Sequence, residues 1–234
     1  MFLPQGLDPA RSVKEPESAG GKPRQNRGNA RNIAALLQFL VYSCRFGKHV
    51  ANSTSQGKYS KPMKRANIAL IGFRATGKST VGEILARTLG RSFIDMDRFL
   101  VREAGCDIAA WVARNGWDSF RRAESGLLEI LRLREGLVVA SGGGIVLDPQ
   151  NREALRKDFF TVWLKATPRT ISTRLHSDPD SPLTRPALSS LPPGEEIEKV
   201  LSERDPLYAQ VADIVIDTEG KPPASIAEQI AALQ

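Results

Sequence analysis

Eight consecutive residues constrain this chain more than any others. Gly72-Phe73-Arg74-Ala75-Thr76-Gly77-Lys78-Ser79 fits the pattern G-x-x-x-x-G-K-[ST]. The apolar run Ile68-Ala69-Leu70-Ile71 precedes it, and a helical pattern from Ser79 to Leu89 follows. A strand, a glycine turn and a helix in that order form a phosphate-binding loop. The glycines let backbone N–H groups turn inward onto phosphate oxygens, and the helix N-terminus adds partial positive charge. Lys78 has the length to reach β- and γ-phosphates, and the Ser79 hydroxyl suits Mg²⁺. The loop specifies a nucleotide binder. Alone it does not specify a reaction.

The remaining pattern predicts the surroundings of that loop. Short apolar runs at Phe93-Ile94, Leu137–Ala140, Phe160–Leu164 and Ile214–Ile216 read as strands. Helical spacing covers 97–104, 107–115, 117–134, 149–157, 168–175, 195–210 and 223–233. Strands separated by helices pair in parallel, which gives an α/β three-layer sandwich. Between Leu175 and Glu195 runs a Pro/Ser/Asp-rich stretch, long for a connection within a compact domain, so it is either a lid or disordered.

Charge divides the chain. The formal net charge of +7 invites a nucleic-acid reading, but residues 1–62 hold ten lysines and arginines against three acids and carry all of it. Residues 63–234 hold 23 basic and 23 acidic side chains and are neutral overall. Residues 1–62 form a basic extension. Its first 32 residues read as disordered, and the apolar stretch from Ala34 to Tyr42 is too short to span a bilayer. The extension fits three descriptions: a segment upstream of a true start at Met63, an organelle transit peptide, or a functional basic tail. Two cysteines, Cys44 and Cys106, cannot build a disulfide framework, and no Cys/His cluster has zinc spacing. The chain reads as intracellular, with no membrane association and no nucleic acid as partner.

Other residues suggest chemistry. Asp95-Met96-Asp97 ends the second strand, where carboxylates of a parallel sheet face the ligand crevice. One acid can serve a metal shell and the other an acceptor hydroxyl; alternatively, Asp97 simply caps the next helix. Arg121 and Glu124 share a helix face, either at a site or on a solvated surface. Gly142-Gly143-Gly144 follows the third strand and suits close backbone approach to a ligand, or a plain turn. Arg185 in the long loop and Arg204 in Glu203–Tyr208 are unremarkable singly.

Taken together and in order, the segments GFRATGKSTVG, FIDMD, FRRAE, SGGG, TRPAL and ERDPLY resemble the shikimate kinases from about Met63 to the C-terminus. The resemblance implies a five-stranded parallel sheet of the P-loop NTPase type with a mobile lid at about 176–194. It implies transfer of the ATP γ-phosphoryl to the 3-hydroxyl of shikimate, with ATP and Mg²⁺ as cofactors, in aromatic amino-acid biosynthesis. By matching motif positions, Ala75, Thr76, Gly77, Lys78, Ser79 and Thr80 would hold the nucleotide, and Arg174 would stack on adenine. Ser79 and Asp95 would serve the metal. Asp97, Arg121, Gly142, Gly143, Gly144 and Arg204 would hold shikimate. Lys78, Asp97 and Arg185 would act in catalysis, Arg185 from the lid. The resemblance further implies a cytoplasmic monomer.

The sequence departs from the family in places. Ala75 replaces a frequent glycine. Trp117 stands where the family places Glu, implying a changed helix entry without effect on the site. No arginine lies near Glu219-Gly220-Lys221 to meet adenine. Two other readings compete: a gluconate-type or nucleoside monophosphate kinase, and a regulatory protein with a ligand-sensing kinase-like domain.

Overall fold

The computed structural model describes residues 67–177 and 191–234. The basic extension, Arg185 and most of the expected lid lie outside these residues. The elements, in chain order, are β1 (Asn67–Ile71), α1 (Lys78–Leu89), β2 (Ser92–Asp95), α2 (Met96–Ala104), α3 (Ile108–Leu131), β3 (Leu137–Ala140), a short 3₁₀ turn (Ile145–Leu147), α4 (Pro149–Asp158), β4 (Phe159–Lys165), α5 (Pro168–His176), α6 (Pro193–Val211), β5 (Ile214–Asp217) and α7 (Pro223–Ala231). All five expected strands form, with ends moved by a residue or two.

The strands make one parallel sheet in the order β2-β3-β1-β4-β5. Every residue of β1 is buried. Its side chains alternate between two cores. Ala69 and Ile71 pack with Val139, Met96, Leu128 and Tyr208 on the face covered by α2, α3, α4 and α6. Ile68 and Leu70 pack with Val81, Leu85, Ile226 and Ile230 from α1 and α7 on the other. Burial on both faces is why the central strands read as continuous apolar runs. The chain passes from β3 across β1 to β4, reversing the direction of strand addition. In such sheets ligands bind beyond the carboxyl ends of the strands near the reversal. β1 delivers the phosphate loop there, β2 the aspartates and β3 the triple glycine.

α3 is interrupted at Gly116, whose φ of 76° and ψ of 164° leave the helical region. The two helical patterns read from the sequence, ending and restarting on either side of that residue, correspond to its two arms. After the break α3 aims Trp117, Phe120, Arg121 and Glu124 at the carboxyl ends of β1–β3.

Candidate active site

The phosphate loop folds as its sequence demands. Gly72 has a φ of 132°, and a Cβ there would collide with the Leu164 carbonyl on β4. The loop thus packs against its neighbour strand at a distance only glycine permits. Ala75 has a φ of 61°, the only non-glycine with positive φ among the described residues. This left-handed conformation explains the frequent glycine at that position, and alanine holds it at a cost of roughly 1–2 kcal/mol. Lys78 is buried, its Nζ donating to the carbonyls of Gly72 at 2.9 Å and Phe73 at 2.7 Å. Thr76 Oγ1 donates to Phe73 O at 2.8 Å. The ammonium therefore sits at the centre of the loop.

At the metal position, Ser79 Oγ donates to Asp95 Oδ2 at 2.5 Å. The other Asp95 oxygen accepts from the Arg98 backbone N–H at 3.0 Å and caps α2. Asp95 is thus the capping aspartate, and the capping alternative considered for Asp97 is wrong. Asp97, in the first turn of α2, lines the cleft instead. A hydroxyl and a carboxylate side by side are hard oxygen donors that fit Mg²⁺, which takes one or two protein oxygens and completes its shell with water and phosphate. No larger cluster of metal-binding side chains occurs among the described residues.

The second half of the cleft holds Asp97, Arg121, Gly142, Gly143, Gly144 and Arg204 around one pocket, together with Trp117 and Phe120. Two of the three glycines, Gly142 and Gly144, are needed for close approach. A Cβ on Gly142 would lie 2.8 Å from Asp97 Oδ1 and would collide with Glu124, while one on Gly144 would strike the Arg121 guanidinium. Arg204 Nη1 and the Tyr208 hydroxyl both donate to Gly143 O, at 3.0 and 2.5 Å. The two residues are one turn apart on α6, so a single helix face delivers both. Burial pushes the Tyr208 hydroxyl up to about 12, so it remains a donor at physiological pH.

Arg121 pairs with Glu124 and lies over the Trp117 ring, 4.9 Å from its centroid. The solvated-face alternative for this pair is therefore wrong, since Glu124 is completely buried. The expectation that Trp117 leaves the site unaffected is also corrected. Its indole lines the pocket and supports Arg121 through a cation–π contact.

Burial raises the Glu124 carboxyl to about 7, outweighing the Arg121 charge; Asp97 also raises it, and Arg204 lowers it. Between pH 4.5 and about 7 the folded chain keeps a proton that the unfolded chain has released. Stability therefore falls as pH rises through that window, by about 3 kcal/mol in all, and levels off above it. Urea unfolding at pH 5, 6, 7 and 8 should show a shallower decline for Glu124→Gln than for the wild type. Parallel slopes would count against Glu124 as the titrating group.

Arg174 lies beside the outer end of the loop. It donates to Ala75 O at 3.2 Å, Thr218 Oγ1 at 3.1 Å and Thr218 O at 3.2 Å, and with Lys221 it lines a pocket over Gly77 and Thr80. Lys221 thus supplies a cation where the sequence lacks the family's arginine.

Comparison with known proteins agrees with this geometry. A profile of the shikimate kinase family matches residues 74–234. The chain belongs to the shikimate kinase family. A shikimate kinase of Nitratidesulfovibrio vulgaris is 45% identical over 166 residues, covering 71% of this chain and 94% of the relative. Shikimate kinase 2 of Yersinia enterocolitica is 40% identical over 163 residues, covering 70% and 92%. The structure of the Acinetobacter baumannii shikimate kinase in complex with shikimate is 34% identical with a TM-score of 0.67, covering 72% of this chain and 92% of that one. The Aquifex aeolicus shikimate kinase is 31% identical with a TM-score of 0.60, covering 71% and 94%. The reaction of this kinase is that of its family: ATP-dependent phosphoryl transfer to shikimate, with Mg²⁺, in aromatic amino-acid biosynthesis. None of the helices among the described residues is long and apolar enough to cross a membrane.

Sequence reasoning left Arg74, Glu196, Trp117, Glu124 and Tyr208 without roles, yet all five border the cleft or hold a residue that does. Arg74 lay in plain view as a variable position of the phosphate-loop motif; for Glu124 and Tyr208 the only signal was helical spacing, three residues after Arg121 and four after Arg204.

Proposed function

We propose that the residues of this cleft divide the transfer as follows. The loop amides from Ala75 to Thr80 and the Lys78 ammonium hold the β- and γ-phosphates, with Arg174 at the nucleoside end. Ser79 and Asp95 hold Mg²⁺, which when bound neutralises phosphate charge. Arg121 and Arg204 hold the shikimate carboxylate, because guanidinium forks fix both the charge and the plane of a carboxylate. Asp97 accepts a hydrogen bond from the acceptor hydroxyl. As the acceptor oxygen bonds to the γ-phosphorus, the bond to the β-bridging oxygen breaks and its electrons leave on ADP. The hydroxyl proton passes to Asp97 and then to water. The lid arginine, Arg185, keeps the role the family gives it, though it lies outside the described residues.

One observation carries this reading: the pocket holding Asp97, Arg121 and Arg204 and the pocket holding Lys78 and Ser79 share Arg74, Asp97 and Gly143 along their border. Two arginines and a triple glycine suit a small hydroxylated carboxylate better than a base-bearing nucleotide acceptor, and the family match favours shikimate over gluconate among such acids. We further propose that residues 63–234 are the catalytic domain and that the kinase works in the cytoplasm as a monomer, since one chain supplies every side chain named. ADP release should be measured with shikimate, gluconate and nucleoside monophosphates, on the full chain and on residues 63–234. Only shikimate should stimulate release, with kcat/KM similar in both forms. Stimulation by another acceptor would defeat the acceptor assignment, and a large loss in the shorter form the domain boundary.

A further inference from the structure

Arg74 is the third residue of the phosphate loop, and no role in the transfer described above falls to it. Its side chain runs over the Phe73 ring, 5.5 Å from the centroid, and its Nη2 donates to Glu196 in the first turn of α6. The Glu196 side chain is 5% exposed and that of Arg74 18%. Partners 122 residues apart in sequence are thus brought together on the rim of the cleft. A largely buried ion pair is a poor source of stability, because desolvation offsets most of its attraction. What it does provide is a fixed position for a charge. Phe73, packed with Ile197 and Val200 of α6, fixes the stem, and Glu196 fixes the head.

That position is informative. Arg74 borders both halves of the cleft, and the other described residues that do so are Asp97 and Gly143. A phosphoryl group moving from nucleotide to acceptor has to cross this border. Its three equatorial oxygens carry the charge of the transition state, and catalysis depends on preorganised donors aimed at them. Lys78 approaches from the loop interior. A guanidinium has five N–H donors, more than one carboxylate engages.

We propose that Arg74 is a further catalytic residue that donates to an equatorial oxygen of the phosphoryl group in flight, and that Glu196 is the positioning residue that holds it there. No atom of Arg74 is consumed: the acceptor oxygen–phosphorus bond forms, the bond to the β-bridging oxygen breaks with its electrons left on ADP, and the guanidinium stays protonated throughout. The proposal rests on the shikimate kinase reading of the site.

The test is steady-state kinetics of the full chain with Arg74→Ala, Arg74→Lys and Glu196→Gln, with thermal unfolding measured for each. Arg74→Ala should lower kcat about 10²-fold with both KM values within about threefold. Guanidinium chloride at millimolar concentration should restore part of that loss, and restore nothing to the wild type. Arg74→Lys should stay well below the wild type, because it places a point charge where a fork is needed. Glu196→Gln should lower kcat less than Arg74→Ala. A kcat within threefold of the wild type in folded Arg74→Ala overturns the proposal. So does a loss confined to KM, or one that guanidinium cannot relieve. A wild type without shikimate-stimulated ADP release would instead overturn the underlying reading, so the two failures are distinguishable.

Discussion

Lys78→Met is expected to lower kcat by at least about 10³-fold, the scale seen when a preorganised donor is lost from a transition-state charge. Methionine keeps the length of the stem and its packing but removes the charge. The Lys78 ammonium bonds to the carbonyls of Gly72 and Phe73, so under the proposed assignment a bound nucleotide would offer it phosphate oxygens in place of those carbonyls. Removing the ammonium takes a donor from the Gly72 carbonyl, while the Phe73 carbonyl keeps Thr76 Oγ1, a loss of about 1–3 kcal/mol. The sheet and both cores do not depend on it. Unfolding should therefore stay cooperative with a modestly lower Tm. Single-turnover measurements with saturating ATP and shikimate separate chemistry from binding. A variant that turned over at the wild-type rate would remove Lys78 from the mechanism.

Arg121→Ala should raise the KM for shikimate about 10²-fold while the KM for ATP changes less than twofold. The size follows from losing charge-assisted bonds to a carboxylate, worth about 3 kcal/mol. The selectivity follows from placement: Arg121 borders the acceptor half of the cleft and not the loop half. A second effect comes with it. Glu124 is completely buried, and Arg121 is the largest influence lowering its pKa. Without that cation the carboxyl should stay protonated to higher pH. Arg121→Lys should recover only part of the affinity, because an ammonium cannot match both carboxylate oxygens or lie flat on Trp117 as a guanidinium does. Equal losses for both substrates would place Arg121 elsewhere in the mechanism.

The parts legible in the sequence were those written in consecutive residues. The phosphate loop announces itself between a buried strand and a helix, and Gly116 marks the break in α3. The five strands read correctly because central strands of a parallel sheet are apolar on both faces. What stayed hidden depends on distance in space. Glu124 looks like one more charge on a polar helix until the triple glycine of β3 closes over it. Asp97 reads as the candidate helix cap until the strand end is placed, which gives the cap to Asp95 and the cleft to Asp97. Trp117 reads as a change in helix entry because its partner, Arg121, lies one turn further on. The Arg74–Glu196 pair joins the first loop of the domain to a helix near its end, which no local pattern records.

Gly143 has a practical consequence for redesign. Its carbonyl holds Arg204 and Tyr208 from α6, and a Cβ on it would come within 3.5 Å of the backbone of Gly72 and Arg74. The Gly143 peptide therefore lies beside both grips of the enzyme. An engineer who reshapes α6 to admit a bulkier alcohol will also disturb the seat of the triphosphate. Libraries for altered acceptor choice should therefore vary both walls at once and be screened for retained affinity for ATP as well as for the new product.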